Sequence, residues 1–392
     1  MKLTRSGCVV PDTPEIKKEL TVRPIVNADF GVAPPSFKVF RKAKSGLCVP
    51  RYYAEEKFGK VTEDIRPKPE KIKIAFKGKL RDETHQNEAL SKAIEAGHGI
   101  LSLPCGFGKT TVSLAIACKL GYRTMIVVHK EFLANQWKER IQQFCPGASI
   151  GIVQQNKKEV DCDFVIAMLQ SLSLKEYSFE DFDSIGTLIV DEAHHICAKV
   201  FSQSLFKLCP KHAFGLSATP NRKDGLTKVL HWFMGPTFFS VERKNQDQVD
   251  MFPLVYTCPR FEDPPPCTRF GKLSLPTMIT ELTEMPDRNR LILQTIKDLA
   301  KTTRQILVLS DRRFHCEYLH NKFKTTSGLY MGGMKEEELT ESSKKQIIFA
   351  TFSQAHEGLD IPTLDTVILA TPKSDIVQSI GRIMRETKGK KN

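Results

Sequence analysis

From about residue 76 onward the chain alternates short continuous apolar runs with longer segments whose apolar residues recur at helical spacing. The runs 100–103, 123–128, 150–153, 164–167, 187–190 and 213–216 carry almost no alternating polar positions. A strand that is apolar at successive positions is buried on both faces, as in a parallel sheet with helices on each side. Between these runs, 109 onward and 132–144 repeat apolar residues every three or four positions and predict helices. A second series follows, with helices at 287–301 and 314–324 and strands at 305–310, 347–350 and 366–369. The pattern predicts an α/β protein with two tandem doubly wound parallel-sheet domains.

The flanking segments read differently. Residues 1–75 hold Pro34, Pro35, Pro50, Pro67 and Pro69 among short apolar runs, which predicts a small accessory domain ending in a Pro/Lys linker. Its stretches 37–44 and 47–60 interleave aromatic and basic residues. That mixture suits either a stacking and phosphate-binding surface or a small β-rich core with snorkelling lysines. The proline-rich stretch 246–285 reads as the connection between domains, which gives domains at 1–75, 76–245 and 286–392. The charged run 335–345 mixes signs and predicts a solvated helix.

Composition narrows the class. A chain of 392 residues is expected to form two or three domains. Its 58 Lys and Arg against 45 Asp and Glu favour a polyanionic partner. The 11 cysteines are odd in number, scattered and without a CxxC pair, so neither a disulfide framework nor a zinc cluster is indicated. A reducing compartment is the simpler reading. No leader pattern and no apolar run of roughly 18 residues is present, so the expectation is a soluble intracellular protein that does not enter a membrane.

Chemistry enters at Leu103 to Thr111, where an apolar run turns through two glycines into an apolar helix. Backbone amides and the dipole of such a helix face phosphate oxygens. Gly106, Phe107 and Gly108 form the loop, Lys109 reaches the terminal phosphates, Thr110 offers a hydroxyl to magnesium, and Thr111 continues the turn. Leu103 stands where the usual pattern has its first glycine, so a plain strand-to-helix turn with an exposed lysine remains the competing reading of this loop alone. Asp191 and Glu192 directly follow the apolar run 187–190, at the carboxyl end of a strand where doubly wound folds bind ligands. Asp191 is expected to hold Mg²⁺ through water, and Glu192 to orient and deprotonate the attacking water on ATP. Two acids capping a short helix are the alternative. His194 and His195 are adjacent and lack a suitably spaced Cys or His, which disfavours zinc.

With Ser217 to Pro220 (SATP) and Gln378 to Arg385 (QSIGRIMR), these runs resemble a superfamily 2 helicase of the DEAH type. The resemblance spans about 80 to 385 and is closest to the DNA helicase branch of nucleotide-excision repair and transcription, with its relatives in large DNA viruses. It implies two RecA-like domains, and Arg81 and Gln86 recognising adenine. His194, Ser217 and Thr219 would couple hydrolysis to movement. His129, Lys130, Gln170, Ser171 and Arg222 would contact nucleic acid from the first half, and Gly332 and Thr351 from the second. Gly358 and Asp360 would face nucleotide, Gln378 would sense it, and Arg382 and Arg385 would neutralise charge on the γ-phosphate. The two arginines are spaced i and i+3, which puts them on one helix face.

The resemblance implies an ATP-dependent DNA helicase or translocase moving 3′ to 5′, with ATP and Mg²⁺ as cofactors and transcription or replication machinery as partners. The alternatives are an RNA-dependent ATPase, the motor subunit of a restriction-type complex, and a non-catalytic ATP-binding scaffold. The chain stops seven residues after Arg385, which suggests a truncated second domain with an open sheet edge. Cys105, inside the phosphate loop, predicts that alkylation blocks ATP binding.

Overall fold

A computed structural model of the protein describes residues 1–25, 34–104, 106–218, 221–222, 224–241, 249–258, 268–269, 272–357, 359, 361–373 and 376–383. These divide into two compact units, one holding the described residues up to 241 and the other those from 249 onward. Among the described residues no helix is long and apolar enough to cross a membrane.

The first unit is built on an eight-stranded sheet. In chain order its strands are β1 (His98–Ser102), β2 (Thr124–Val128), β3 (Ile150–Gln154), β4 (Lys157–Lys158), β5 (Phe164–Met168), β6 (Thr187–Val190), β7 (His212–Ser217) and β8 (Thr237–Ser240). Their spatial order is β4-β3-β5-β2-β6-β7-β1-β8. Only the β3–β4 hairpin is antiparallel. Side chains alternate along each strand, so Leu101, Ile126, Ile166 and Ile189 join one apolar cluster and Ile100, Met125, Val165 and Leu188 the other. Helices α1 (Gln86–Ala96), α2 (Lys109–Leu120) and α3 (Glu131–Phe144) cover the first face.

The opposite face is closed by α4 (Thr227–Met234) together with the N-terminal segment. That segment forms its own five-stranded sheet, yet Leu3, Val10, Leu47, Tyr52 and Tyr53 belong to the same apolar cluster as Val127 and Val190. Tyr52 stacks on His98 at 4.2 Å between ring centres, and Tyr53 meets Trp232 edge-on at 5.5 Å. These aromatics are therefore spent on the core, which favours the β-rich core over the stacking surface. The expected Pro/Lys linker has little regular structure but is tied down. Glu70 N donates to Ser184 O at 2.9 Å, Ile72 N to Gly121 O at 3.0 Å and Arg66 Nη1 to Pro210 O at 2.6 Å. It thus runs along the amino ends of β2, β6 and β7.

The second unit has a four-stranded parallel sheet. It comprises β9 (Ile306–Ser310), β10 (Ser327–Tyr330), β11 (Ile347–Thr351) and β12 (Thr366–Leu369), in the order β10-β11-β9-β12. Part of the stretch read as a connection is helical instead, as α5 (Leu275–Glu284). The Ser274 hydroxyl accepts from Thr277 N, and Pro276 sits in the first turn, where its missing N–H costs nothing. Then come α6 (Pro286–Ala300), α7 (Arg313–His320), α8 (Glu336–Ser343), α9 (Phe352–Glu357) and α10 (Val377–Ile383). Prolines 264–266 and residues 386–392, on which the connection and truncation expectations partly rest, lie outside the described residues.

Candidate nucleotide site

Register brings the loops of the first unit together. Ser102 is paired with Ser217, and Leu103 N donates to Ser217 O at 3.0 Å just beyond the strand ends. Val190 is paired with Val127, and Asp191 N donates to Val127 O at 3.0 Å. The segments following β1, β2, β6 and β7 therefore share the carboxyl end of the sheet, where ligands bind in folds of this type. Gly106 and Gly108 adopt φ of 82° and 92°, left-handed values that favour glycine, and α2 starts at Lys109 directly after them. Thr110 and Thr111 lie half-buried in its first turn. Cys105 is outside the described residues.

The loop is held from behind by Gln86, which is 2% exposed. Its Oε1 accepts from Arg81 N at 2.9 Å and its Nε2 donates to Phe107 O at 2.5 Å. A Cβ on Gly108 would stand 2.7 Å from that same Nε2, so any larger residue would push the clamp away. Gln86 and Arg81, for which adenine recognition is expected, are seen to brace the phosphate loop.

Three charges meet in front of it. Lys109 Nζ lies 3.4 Å from Glu192 Oε1, with both side chains less than a fifth exposed. Glu192 adopts φ 46°, ψ 54°, a strained left-handed conformation for a residue with a side chain. Burial pushes its carboxyl up, but Lys109 and His194 outweigh this and hold it below the usual range. The Asp191 carboxyl is raised, by burial first and then by Glu192. Asp191 Oδ1 accepts from Glu192 N at 3.0 Å and Oδ2 from Trp137 Nε1 at 2.9 Å. Burial and neighbouring His195 lower His194 to about 4. Its Nδ1 is 3.3 Å from Ser217 Oγ, which joins two of the expected coupling residues; Thr219 is outside the described residues.

A carboxylate and a threonine hydroxyl beside a phosphate loop are the hard oxygen donors that magnesium accepts, since it keeps several waters and uses one or two carboxylates plus phosphates. The residues present fit that ion.

The expected nucleic-acid contacts are placed less uniformly. His129 and Ser171 are 7% and 8% exposed. His129 packs on the His195 ring at 4.0 Å, and Ser171 Oγ accepts from Gln155 N at 2.9 Å, so neither presents its side chain at the surface. Gln170 Nε2 donates to His129 O at 2.6 Å, and Lys130 occupies the N-cap position of α3 without a side-chain capping bond. Arg222 is turned inward, pairing with Asp224 and donating to His194 O at 2.6 Å. In the second unit Thr351 is buried at the end of β11 beside Ser353, Oγ to Oγ 3.3 Å. Gly332 O accepts from Arg313 Nη1 at 2.7 Å, but the neighbouring Gly333, with φ 86°, is the residue that needs to be glycine. Gly358, Asp360 and Arg385 lie outside the described residues, as do the side chains of Gln378 and Arg382 on α10.

Residues 78–222 match the family of the res subunit of type III restriction enzymes, and 287–387 match the helicase conserved C-terminal domain. Over 98% of this chain and 79% of its own length, a protein of Acanthamoeba polyphaga mimivirus is 35% identical; its name describes a candidate ATP-dependent RNA helicase. A protein of Invertebrate iridescent virus 6, named as a candidate helicase, is 28% identical over 95% of this chain and 88% of its own. The crystal structure of T4 UvsW aligns with 94% of this chain and 83% of that chain, at 17% identity and a TM-score of 0.40.

Proposed function

Because this chain belongs to the superfamily 2 helicases, ATP-hydrolysing motors that act on nucleic acid, we propose that it is a DNA helicase or translocase whose chemistry resides at the Lys109, Asp191 and Glu192 cluster. The observation that carries the proposal is the convergence of a phosphate loop, a half-buried carboxylate with two N–H donors and a second carboxylate held near a lysine. In this reading Lys109 meets the terminal phosphates of ATP. Asp191 and Thr110 would hold a magnesium ion, which when bound would neutralise charge on the phosphates. Glu192, kept ionised beside Lys109, takes a proton from the attacking water. His194 and Ser217 pass the change at Glu192 to the loop that Arg222 anchors. Arg382 and Arg385 are assigned to the γ-phosphate by the family resemblance, a contribution of about 10³- to 10⁵-fold for arginines of this kind.

The choice of DNA rests on the run 221–225, which resembles the repair and transcription branch, and on the excess of basic residues. That branch moves 3′ to 5′, and the same polarity is proposed here. RNA is the second reading, favoured by the name of the mimivirus relative. ATP hydrolysis measured without nucleic acid, then with single-stranded DNA, duplex DNA and single-stranded RNA, separates the two. Stimulation by DNA is the expected outcome, and stimulation by RNA alone replaces this reading with the second.

A further inference from the structure

Trp137 stands three positions after Ala134 and four before Ile141 on the buried face of α3, where a core tryptophan needs no further explanation. It is 1% exposed and packed with Leu133, Ile141 and Ile166. Yet its Nε1–H points out of that core and donates to Asp191 Oδ2 at 2.9 Å. The other oxygen is held by Glu192 N at 3.0 Å. Each carboxylate oxygen therefore has one fixed N–H donor and keeps further acceptor capacity for a ligand.

We infer that Trp137 is a positioning residue for the metal, locking the Asp191 carboxylate in the orientation in which its remaining acceptor sites meet the water shell of magnesium. An indole is suited to this. It donates without accepting, carries no charge to compete with the cation, and cannot turn without opening the apolar face of α3. Partners that orient a metal-holding group in this way are worth about 10- to 100-fold in metal affinity. The inference rests on the proposed role of Asp191.

The test is binding of a fluorescently labelled ADP across a magnesium titration, with wild type, Trp137→Phe and Asp191→Asn. Trp137→Phe is expected to raise the magnesium concentration for half-saturation by about 10-fold or more while leaving metal-free nucleotide binding unchanged. A purely structural tryptophan would instead weaken binding with and without metal. If Asp191→Asn shifts the magnesium dependence and Trp137→Phe does not, the inference fails alone. If Asp191→Asn shifts nothing, the reading beneath it fails. Should Trp137→Phe not fold, Trp232→Phe leaves Trp137 as the one remaining indole of the two in the sequence. Its emission is then expected to change when magnesium is added to the ADP complex, and unchanged emission overturns the inference.

Discussion

At the carboxyl end of the first sheet, Lys109, Asp191 and Glu192 bring three charges into one loop cluster, whereas β9 of the second sheet ends in a neutral chain of Ser310, His315 and Asn289. Ser310 Oγ is 2.9 Å from His315 Nδ1, and His315 Nε2 is 3.0 Å from Asn289 Oδ1, whose amide donates on to Thr283 O at 2.8 Å. The two units share a parallel α/β plan, yet one gathers half-buried charge and strained backbone at its strand ends, whereas at β9 the other has a satisfied polar network, with the partly exposed Asp311 paired to Arg312 and Lys373 beside it. A charge cluster of this kind is costly without a ligand, while a closed neutral network stiffens the fold around it. In the proposed reading the first unit carries the chemistry and this part of the second serves as framework.

Glu192 apart, the largest effect is expected from Lys109→Ala. It removes the cation from Glu192 and from the phosphate site, and steady-state ATP turnover should fall by about 10²- to 10³-fold. A smaller loss would mean that the cluster is not where turnover is decided. Next comes the pH dependence of the second unit. Burial, followed by the nearby Arg288, lowers His315 to about 4, against an ordinary value near 6.5. Between those values the unfolded chain takes up a proton that the folded state refuses. The stabilisation is therefore fully present above about pH 6.5 and lost progressively as pH falls toward 4, by an amount on the order of 3 kcal/mol. Urea denaturation at stepped pH measures it, and the slope should flatten in His315→Gln. Smaller still, Asn289→Leu strands His315 Nε2–H in the core and should cost about 1–3 kcal/mol in the same assay. Nucleotide affinity should be untouched; a parallel loss would contradict the division between the units.

Much of this was legible in the chain. The continuous apolar runs became strands with ends shifted by at most two residues, because burial on both faces is written into every position of a parallel strand. The glycine loop and the acid pair following an apolar run were readable for the same reason, since backbone φ and charge leave a mark on residue type. Trp137 was not readable: in an amphipathic helix its apolar body explains its presence, and the direction of one N–H is set only by packing. Nor was the clamp by Gln86, whose partner is a backbone carbonyl 21 residues away. The helix Leu275–Glu284 was hidden by prolines, which break a helix in its interior but not in its first turn. Aromatic and basic residues near the N-terminus admitted a binding surface until tertiary contacts placed Tyr52 and Tyr53 in the core.

The most direct test compares ATP turnover by wild type and Glu192→Gln with nucleotide affinity measured in parallel. Glu192, the proposed base, has a left-handed backbone and lies 3.4 Å from Lys109. The account predicts that Glu192→Gln binds magnesium and ATP much as wild type does while losing about 10²- to 10⁴-fold in turnover, with or without DNA. Turnover that survives this substitution at full nucleotide occupancy would contradict it.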